Sequence, residues 1–329
     1  MARFRIKHLV SGGIITNYFC TSKCRHCLYN CGPHWEKKYL DTETAEDHFR
    51  RVRFMGCRSV HIGGGEPLLR PDNLAEILGV AQNVGVLIEY VETNSSWFKE
   101  MESAVGVLSR LRRKGLKTLL VSISPFHNEH IPFFKVQGVI EACRKARVNV
   151  FPWINGFIKD LSQLDVNKTN SMAVFEEKFG QDYLLRILQR YWVHMGGRAL
   201  DTFRPVLASQ SFQQIINENP GGCERELSDT SHFHMDLFGN YIPGLCSGLS
   251  ISTKDLGQPL SGKAYPVITT LFDSGIKGLF DFAHKEFAYT PARSKYVNKC
   301  DLCTEIRTVM VSKTLGGLSE LGPREFYFV

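Results

Sequence analysis

Short apolar, β-branched runs alternate with longer amphipathic stretches through the first half of this chain. Gly13 to Phe19 reads as a strand, and Asp41-Thr42-Glu43 caps an amphipathic helix that runs to about Met55 and stops at Gly56. Arg58 to Ile62 predicts a second strand, followed at once by Gly63-Gly64-Gly65-Glu66-Pro67, and a helix from Pro71 to near Gly85 comes next. Val86 to Val91, Leu116 to Ile123 and Val148 to Ile154 predict three more strands, separated by helices that end at Lys114-Gly115 and span Ile131 to Ala146. Five successive strand-helix units imply parallel strands joined by helical crossovers. The pattern leaves open whether they form an open sheet or a barrel, and either arrangement places chemistry at the carboxyl ends of the strands. From Ser171 to Tyr191 the pattern is helical, and after Gly196 the alternation weakens while Gly, Pro and Ser increase.

The unusual residues fall at those strand ends. Directly after the first strand the sequence reads NYFCTSKCRHCLYNC, four cysteines within twelve residues, with Cys20, Cys24 and Cys27 separated by three and then two residues. Three thiolates at this spacing can converge on one inorganic cluster and leave one iron of four open to a ligand. A zinc loop or a group of buried free thiols fits the same spacing. The glycine run with Glu66 follows strand two, Glu92 to Asn94 follows strand three, and Ser122 to His127 follows strand four. In a barrel these ends ring one mouth.

Composition narrows the chemistry. The 329 residues are 43% hydrophobic and 22% charged, as in an ordinary globular protein with a sizeable core, and the length predicts one large domain plus an appendage. There is no apolar run of eighteen residues, and MARFRIKHLV is too short and too charged for a signal peptide, so the expected compartment is the cytoplasm, with no membrane partner. Ten cysteines in such a compartment point to metal or redox chemistry rather than disulfides. A net charge of +7 suits an acidic electron donor or an anionic substrate, and no aromatic-basic motif indicates a nucleic acid.

With both motifs in order, each after its own strand, residues 13 to 200 resemble the radical S-adenosylmethionine superfamily. The resemblance implies an α/β fold, a partial (β/α)6 TIM-type barrel, over residues 1–215. It also implies a 4Fe-4S cluster on Cys20, Cys24 and Cys27 whose open iron takes S-adenosylmethionine, with a flavodoxin- or ferredoxin-type reductant as partner. Gly63, Gly64 and Gly65 would leave backbone bare for the methionine moiety, and Glu66 or nearby backbone would fix its amino group. Asn94 and Ser122 would face the ribose, unless they merely cap strand ends. His26 stands where an aromatic residue usually meets the adenine, with the Tyr29 backbone just beyond, and Arg198 of Gly196-Gly197-Arg198-Ala199, a segment found near the sixth strand in relatives, could pair with the carboxylate. A fourth cysteine ligand would block the open iron. Cys31 is therefore expected to be a bystander or a thiol behind the ligands, and Cys57 and Cys143 to be helix-end or core residues.

Cys223, Cys246, Cys300 and Cys303 remain, the last two in a CxxC and Cys246 after a hairpin-like segment from His234 to Pro243. Four such sulfurs suit a tetrahedral zinc or a fully ligated 4Fe-4S cluster. Their order is similar to the auxiliary-cluster domain called twitch, the shortened form of SPASM, and implies a small cysteine-rich α+β domain over residues 216–329 with an auxiliary 4Fe-4S cluster. Cys223 is the ligand least fixed by its surroundings in sequence.

Twitch-type relatives include a dehydrogenase that passes an electron to its auxiliary cluster, so the expected reaction is hydrogen abstraction from, and oxidation of, a small polar metabolite. The catalytic base is expected among His127, His130 and Arg198. The competing readings are a peptide-modifying (RiPP) maturase of the same superfamily, and a non-catalytic iron-sulfur or zinc regulatory protein; the latter leaves Gly63 to Glu66 unexplained.

Overall fold

A computed structural model describes residues 4–153, 155–314 and 318–328. Its centre is β1 (Gly12–Ile15), whose four residues are all buried, as expected of a strand covered on both faces. The chain then alternates through α1 (Thr42–Phe54), β2 (Ser59–Gly63), α2 (Pro71–Val84), β3 (Leu87–Thr93), α3 (Met101–Arg113), β4 (Thr118–Ser122), α4 (Phe133–Ala146) and β5 (Asn149–Trp153). Adjacent strands of this series pair in parallel, β1 with β2 through to β4 with β5. The five expected units are therefore present with ends shifted by a few residues; position 154, the expected end of the fifth strand, lies outside the described residues.

Local chemistry accounts for the element ends. Asp41 caps α1 by accepting from the Thr44 N–H at 2.8 Å, and Phe49 and Val52 point from that helix into the core. Gly85 ends α2 at φ 79°, where a side chain is disfavoured. The helical stretch after residue 171 is two helices, α5 (Met172–Phe179) and α6 (Tyr183–Arg190), broken at Gly180.

The α/β architecture is that of a partial barrel, and its sixth parallel strand is not the next one in sequence. No sixth barrel strand follows β5 among the described residues; a loop instead enters the short helix α7 (Arg198–Phe203). The second neighbour of β1 comes from the C-terminal third: β6 (Phe233–Asp236) pairs with it in parallel, Gly13 opposite His234. β6 turns through Gly239 at φ 79° into β7 (Asn240–Ile242) and then β8 (Ile251–Ser252), both antiparallel, so the expected hairpin exists and forms one edge of the main sheet. The sheet order is β5-β4-β3-β2-β1-β6-β7-β8, and it runs across the boundary expected near residue 215. Hydrophobic alternation could not reveal this pairing, which joins positions more than two hundred residues apart.

Two further helices, α8 (Pro266–Phe287) and α9 (Lys299–Lys313), pack together. α8 is broken at Gly275, φ 58°, because the Gly221–Gly222 backbone presses against it there and leaves no room for a Cβ. No helix among the described residues is long and apolar enough to cross a membrane.

Candidate active site

The cysteine loop is closed at its base by the backbone. Cys20 N–H donates to Gly32 O at 3.2 Å and Gly32 N–H to Tyr18 O at 3.2 Å, while Tyr18 Oη donates to the buried Asp236 carboxylate of β6 at 2.9 Å. Asn17 holds the next strand end: its amide donates to Phe19 O at 2.8 Å and Glu66 O at 3.3 Å, and its carbonyl accepts from Gly65 N–H at 2.6 Å. A Cβ on Gly65 would collide with Phe19 O, and Gly64 sits at φ 144° against Asn17. The glycine run is thus required first by the close approach of β1's end to β2's end; Gly64 and Gly65 also face the cavity. Gly63 clears space for Glu92, whose carboxylate would meet a Cβ there at 2.6 Å.

The loop, the glycine run and the ends of β3 and β4 enclose one cavity of about 300 Å³. Cys20, Cys24, Cys27 and Cys31 line it together with His26, Tyr29, Asn94, Ser122, His127 and Arg198. The residues predicted around the first cluster are therefore brought together, with three exceptions, of which Gly63 faces Glu92 rather than the cavity. His130 is exposed outside this cavity, one turn beyond the Ser124-capped helix Pro125–Asn128, and is not positioned as a base. The Glu66 side chain is fully buried behind the wall, where it accepts from Leu68 N–H at 3.1 Å, Thr93 Oγ1 at 3.0 Å and Asn94 N–H at 2.6 Å, leaving the segment's backbone to face any ligand. Arg198 departs from its expected role in another way. A guanidinium has only donors and cannot accept a proton as a base; here Nε donates to Cys24 O at 2.9 Å and Nη2 to Cys31 O at 2.6 Å, and its own N–H to Cys27 O at 3.2 Å. It ties α7 to the cysteine loop, made possible by Gly197 at φ 53°, where a Cβ would strike the Cys27 and Leu28 carbonyls. Its buried Nη1 has no protein partner.

Electrostatics separate the sulfurs. Burial pushes Cys20 up to about 12 and Cys24 well above the usual thiol range. A hydrogen bond from Cys31 holds Cys27 low and pushes Cys31 up. Asn94 Nδ2 donates to Cys20 Sγ at 3.2 Å, and Ser22 N–H reaches the same sulfur at 3.4 Å. His127 is held down to about 4 by burial and then by His130, with Nδ1 2.6 Å from Ser124 Oγ, so its ring is neutral at pH 7. His26 is half-buried and neutral, stacked on Phe126 at 4.8 Å, with its buried Nδ1 unpartnered. Cys57 and Cys143 are buried away from the cavity, as expected.

The profile of the radical SAM superfamily matches residues 14–158. Those residues are a radical SAM domain. The chain is similar to the GTP 3',8-cyclase of Aquifex aeolicus, 29% identical over 115 residues, which are 33% of each chain. It is also similar to the mycofactocin maturase MftC of Mycolicibacterium smegmatis, 23% identical over 241 residues, 71% of this chain and 57% of that one. It thus spans about a third and somewhat over half the length of these curated relatives. Among solved structures, anSMEcpe with bound AdoMet aligns with TM-score 0.40 at 15% identity, over 71% of this chain and 74% of that one.

Radical SAM domains bind a 4Fe-4S cluster and S-adenosylmethionine, and the residues present fit both. Three thiols share one wall, and buried thiols pushed upward need a bound cationic group to persist as thiolates. Two N–H groups already point at Cys20 sulfur, and the unpartnered Arg198 Nη1 offers positive charge beside the loop.

A second cavity, about 260 Å³, is lined by Cys223, Cys246, Cys300 and Cys303 together. Each cysteine has a local cause for its place. Cys223 follows the two glycines wedged into the break of α8, and its N–H donates to Leu271 O at 2.7 Å. Cys246 closes the turn after β7 on Pro243 O. Cys300 and Cys303 occupy the first turns of α9, whose cap Asn298 accepts from Cys300 N–H and Asp301 N–H at 3.0 Å each; helix amide ends favour thiolates. Buried Arg307 lies beside the Cys246 and Cys303 sulfurs and donates to Ser247 O at 2.9 Å. The CxxC signalled two of these cysteines in the sequence; that they sit on a helix was not evident, because residues 299–313 lack a strong amphipathic stripe.

Glu66 also carries a pH prediction. Burial raises its carboxyl to about 7, so the folded state binds this proton more tightly than the unfolded chain. Its contribution is complete below about 4.5 and is lost as pH rises through 7, roughly 3 kcal/mol in all. Urea unfolding of the metal-free protein at pH 5 and pH 7 is expected to show this fall, and Glu66→Gln to remove that share of it.

Proposed function

We propose that the chain is a radical SAM enzyme that abstracts hydrogen from a small polar substrate and returns the surplus electron to an auxiliary 4Fe-4S cluster held by Cys223, Cys246, Cys300 and Cys303. The observation that carries this reading is that the two cysteine cavities share a wall: Trp192, His194 and Leu245 line both. When bound and reduced, the first cluster supplies the electron that cleaves S-adenosylmethionine to methionine and a hydrogen-abstracting 5'-deoxyadenosyl radical. The chain's own residues orient and exclude. Arg198 Nη1 is available to the methionine carboxylate, the Gly64–Gly65 backbone to its amino group, Asn94 and Ser122 to the ribose, and His26 with the Tyr29 backbone to the adenine. Glu92, raised to about 7 by burial and then by Cys27, lines the cavity with its side chain 40% accessible, and replaces His130 and Arg198 as the group able to take a substrate proton.

The similarity to a mycofactocin maturase favours a second reading, a peptide substrate entering past the exposed Trp192. Anaerobically reconstituted protein with dithionite is expected to release 5'-deoxyadenosine from S-adenosylmethionine. Deuterium from labelled small polyols or amino alcohols should appear in that product; its appearance only from labelled peptides would select the maturase reading. Absence of 5'-deoxyadenosine with full iron content would overturn the enzyme reading.

A further inference from the structure

Three histidines that the radical chemistry does not use meet inside the same cavity region. His61 lies on β2, His234 on β6, and His232 two residues before it, on the same side of the chain by strand alternation. The strand between them is β1, and in both registers the residue opposite is Gly13: it pairs with His61 on one side and His234 on the other. Any side chain at Gly13 would strike the His61 ring. The two imidazoles lean over this bare position until their Nε2 atoms stand 3.1 Å apart. A ring nitrogen of His232 joins them, all three donor atoms lying within 4.8 Å of one another.

A proton shared between two imidazoles explains the 3.1 Å contact but not the third ring. Tetrahedral coordination at about 2.0–2.1 Å from nitrogen to metal sets donor atoms about 3.4 Å apart, close to the His61–His234 separation and within a small rotation of the His232 ring. The surroundings match what ligating histidines require. Tyr29 Oη lies 2.7 Å from His234 Nδ1, fixing the ring and leaving Nε2 toward its partners. Tyr90 stacks on His61 at 5.0 Å with an 8° interplanar angle. Glu92, for which Gly63 clears space, brings a carboxylate oxygen to 3.9 Å from His61 Nε2. His232 and His234 line the cavity that also holds the cysteine loop, so a fourth coordination position opens toward the substrate space.

We propose that His61, His232 and His234 form a mononuclear site for a divalent first-row ion, zinc being the probe, with its open position facing the cavity. Neutral nitrogen donors with one carboxylate nearby suit zinc or iron(II) and disfavour calcium and magnesium, which take oxygen shells. An ion there anchors an oxygen or nitrogen donor of the substrate. The site itself does not depend on the radical reading, since metal binding is measured without S-adenosylmethionine.

Anaerobic, cluster-loaded protein is dialysed against a chelator and then against zinc sulfate, and zinc and iron per chain are measured together. About one zinc per chain is expected beyond the iron, with an X-ray absorption edge showing nitrogen and oxygen neighbours and no sulfur. His232→Ala, at the more open edge of the triad, should fold normally, keep its iron and weaken zinc binding at least about 10-fold. His234→Asn should do the same. Zinc that fails to bind the wild type, binds both variants as tightly, displaces iron, or shows sulfur neighbours would overturn the proposal.

Discussion

Cys24→Ala is expected to abolish S-adenosylmethionine cleavage, lowering 5'-deoxyadenosine formation by more than about 100-fold, beyond what loss of a supporting hydrogen bond alone reaches. Cys24 is buried, and Arg198 holds the backbone carbonyl of this same residue, which fixes its place in the loop. Cys31 is the test of that expectation, since it lines the same cavity and could rescue a missing ligand. Its bond to Cys27 and its place at the base of the loop, next to the closing residue Gly32, hold it back. Cys31→Ala should therefore retain cleavage, while Cys24→Ala loses both cleavage and about four irons per chain. Equal loss in both variants would make Cys31 a ligand and close the iron that the chemistry needs open.

Cys300→Ala should divide the two halves of the proposed reaction. The expected outcome is a fall from about eight irons per chain to about four, with cleavage of S-adenosylmethionine in the absence of substrate still measurable and conversion of substrate lost. Cys300 sits where the N-cap Asn298 accepts its N–H, so the substitution keeps the helix start intact. Arg307 is then left beside one thiolate fewer. Full iron in Cys300→Ala would remove Cys300 from the ligand set, and retained conversion would remove the auxiliary cluster from the reaction. Zinc in place of the second four irons in the wild type would assign the four cysteines to a structural metal.

What the sequence made legible was whatever is local. The cysteine spacing, the glycine run and the five strand-helix units lie within short windows, and each leads to the cavity where the structure brings Cys20, Cys24, Cys27, Asn94 and Ser122 together. The partners of long-range contacts were not legible. Arg198 looked like a group for a ligand's carboxylate because nothing in Gly196 to Ala199 announces that its guanidinium faces the carbonyls of Cys24 and Cys31. Glu66 looked like a cofactor contact, yet a carboxylate beside the free N–H groups of Leu68, in its own turn, and of Asn94, at the end of β3, is drawn to them. His232-x-His234 carried the period of a strand and could have been read as two imidazoles on one face. Its target, His61 across a glycine, required the parallel pairing of β6 with β1. The long helix α8 was missed because its break at Gly275 divides its apolar pattern.

That pairing of β6 with β1 has a temporal consequence. Tyr18 and Asp236, which bond across it, are separated by 218 residues, so during synthesis β1 emerges long before its second neighbour exists. Until then one side of a wholly buried strand is an open edge, a template for mispairing with other chains. The chain must leave the ribosome as far as Asp236 before the floor beneath the cysteine loop can close.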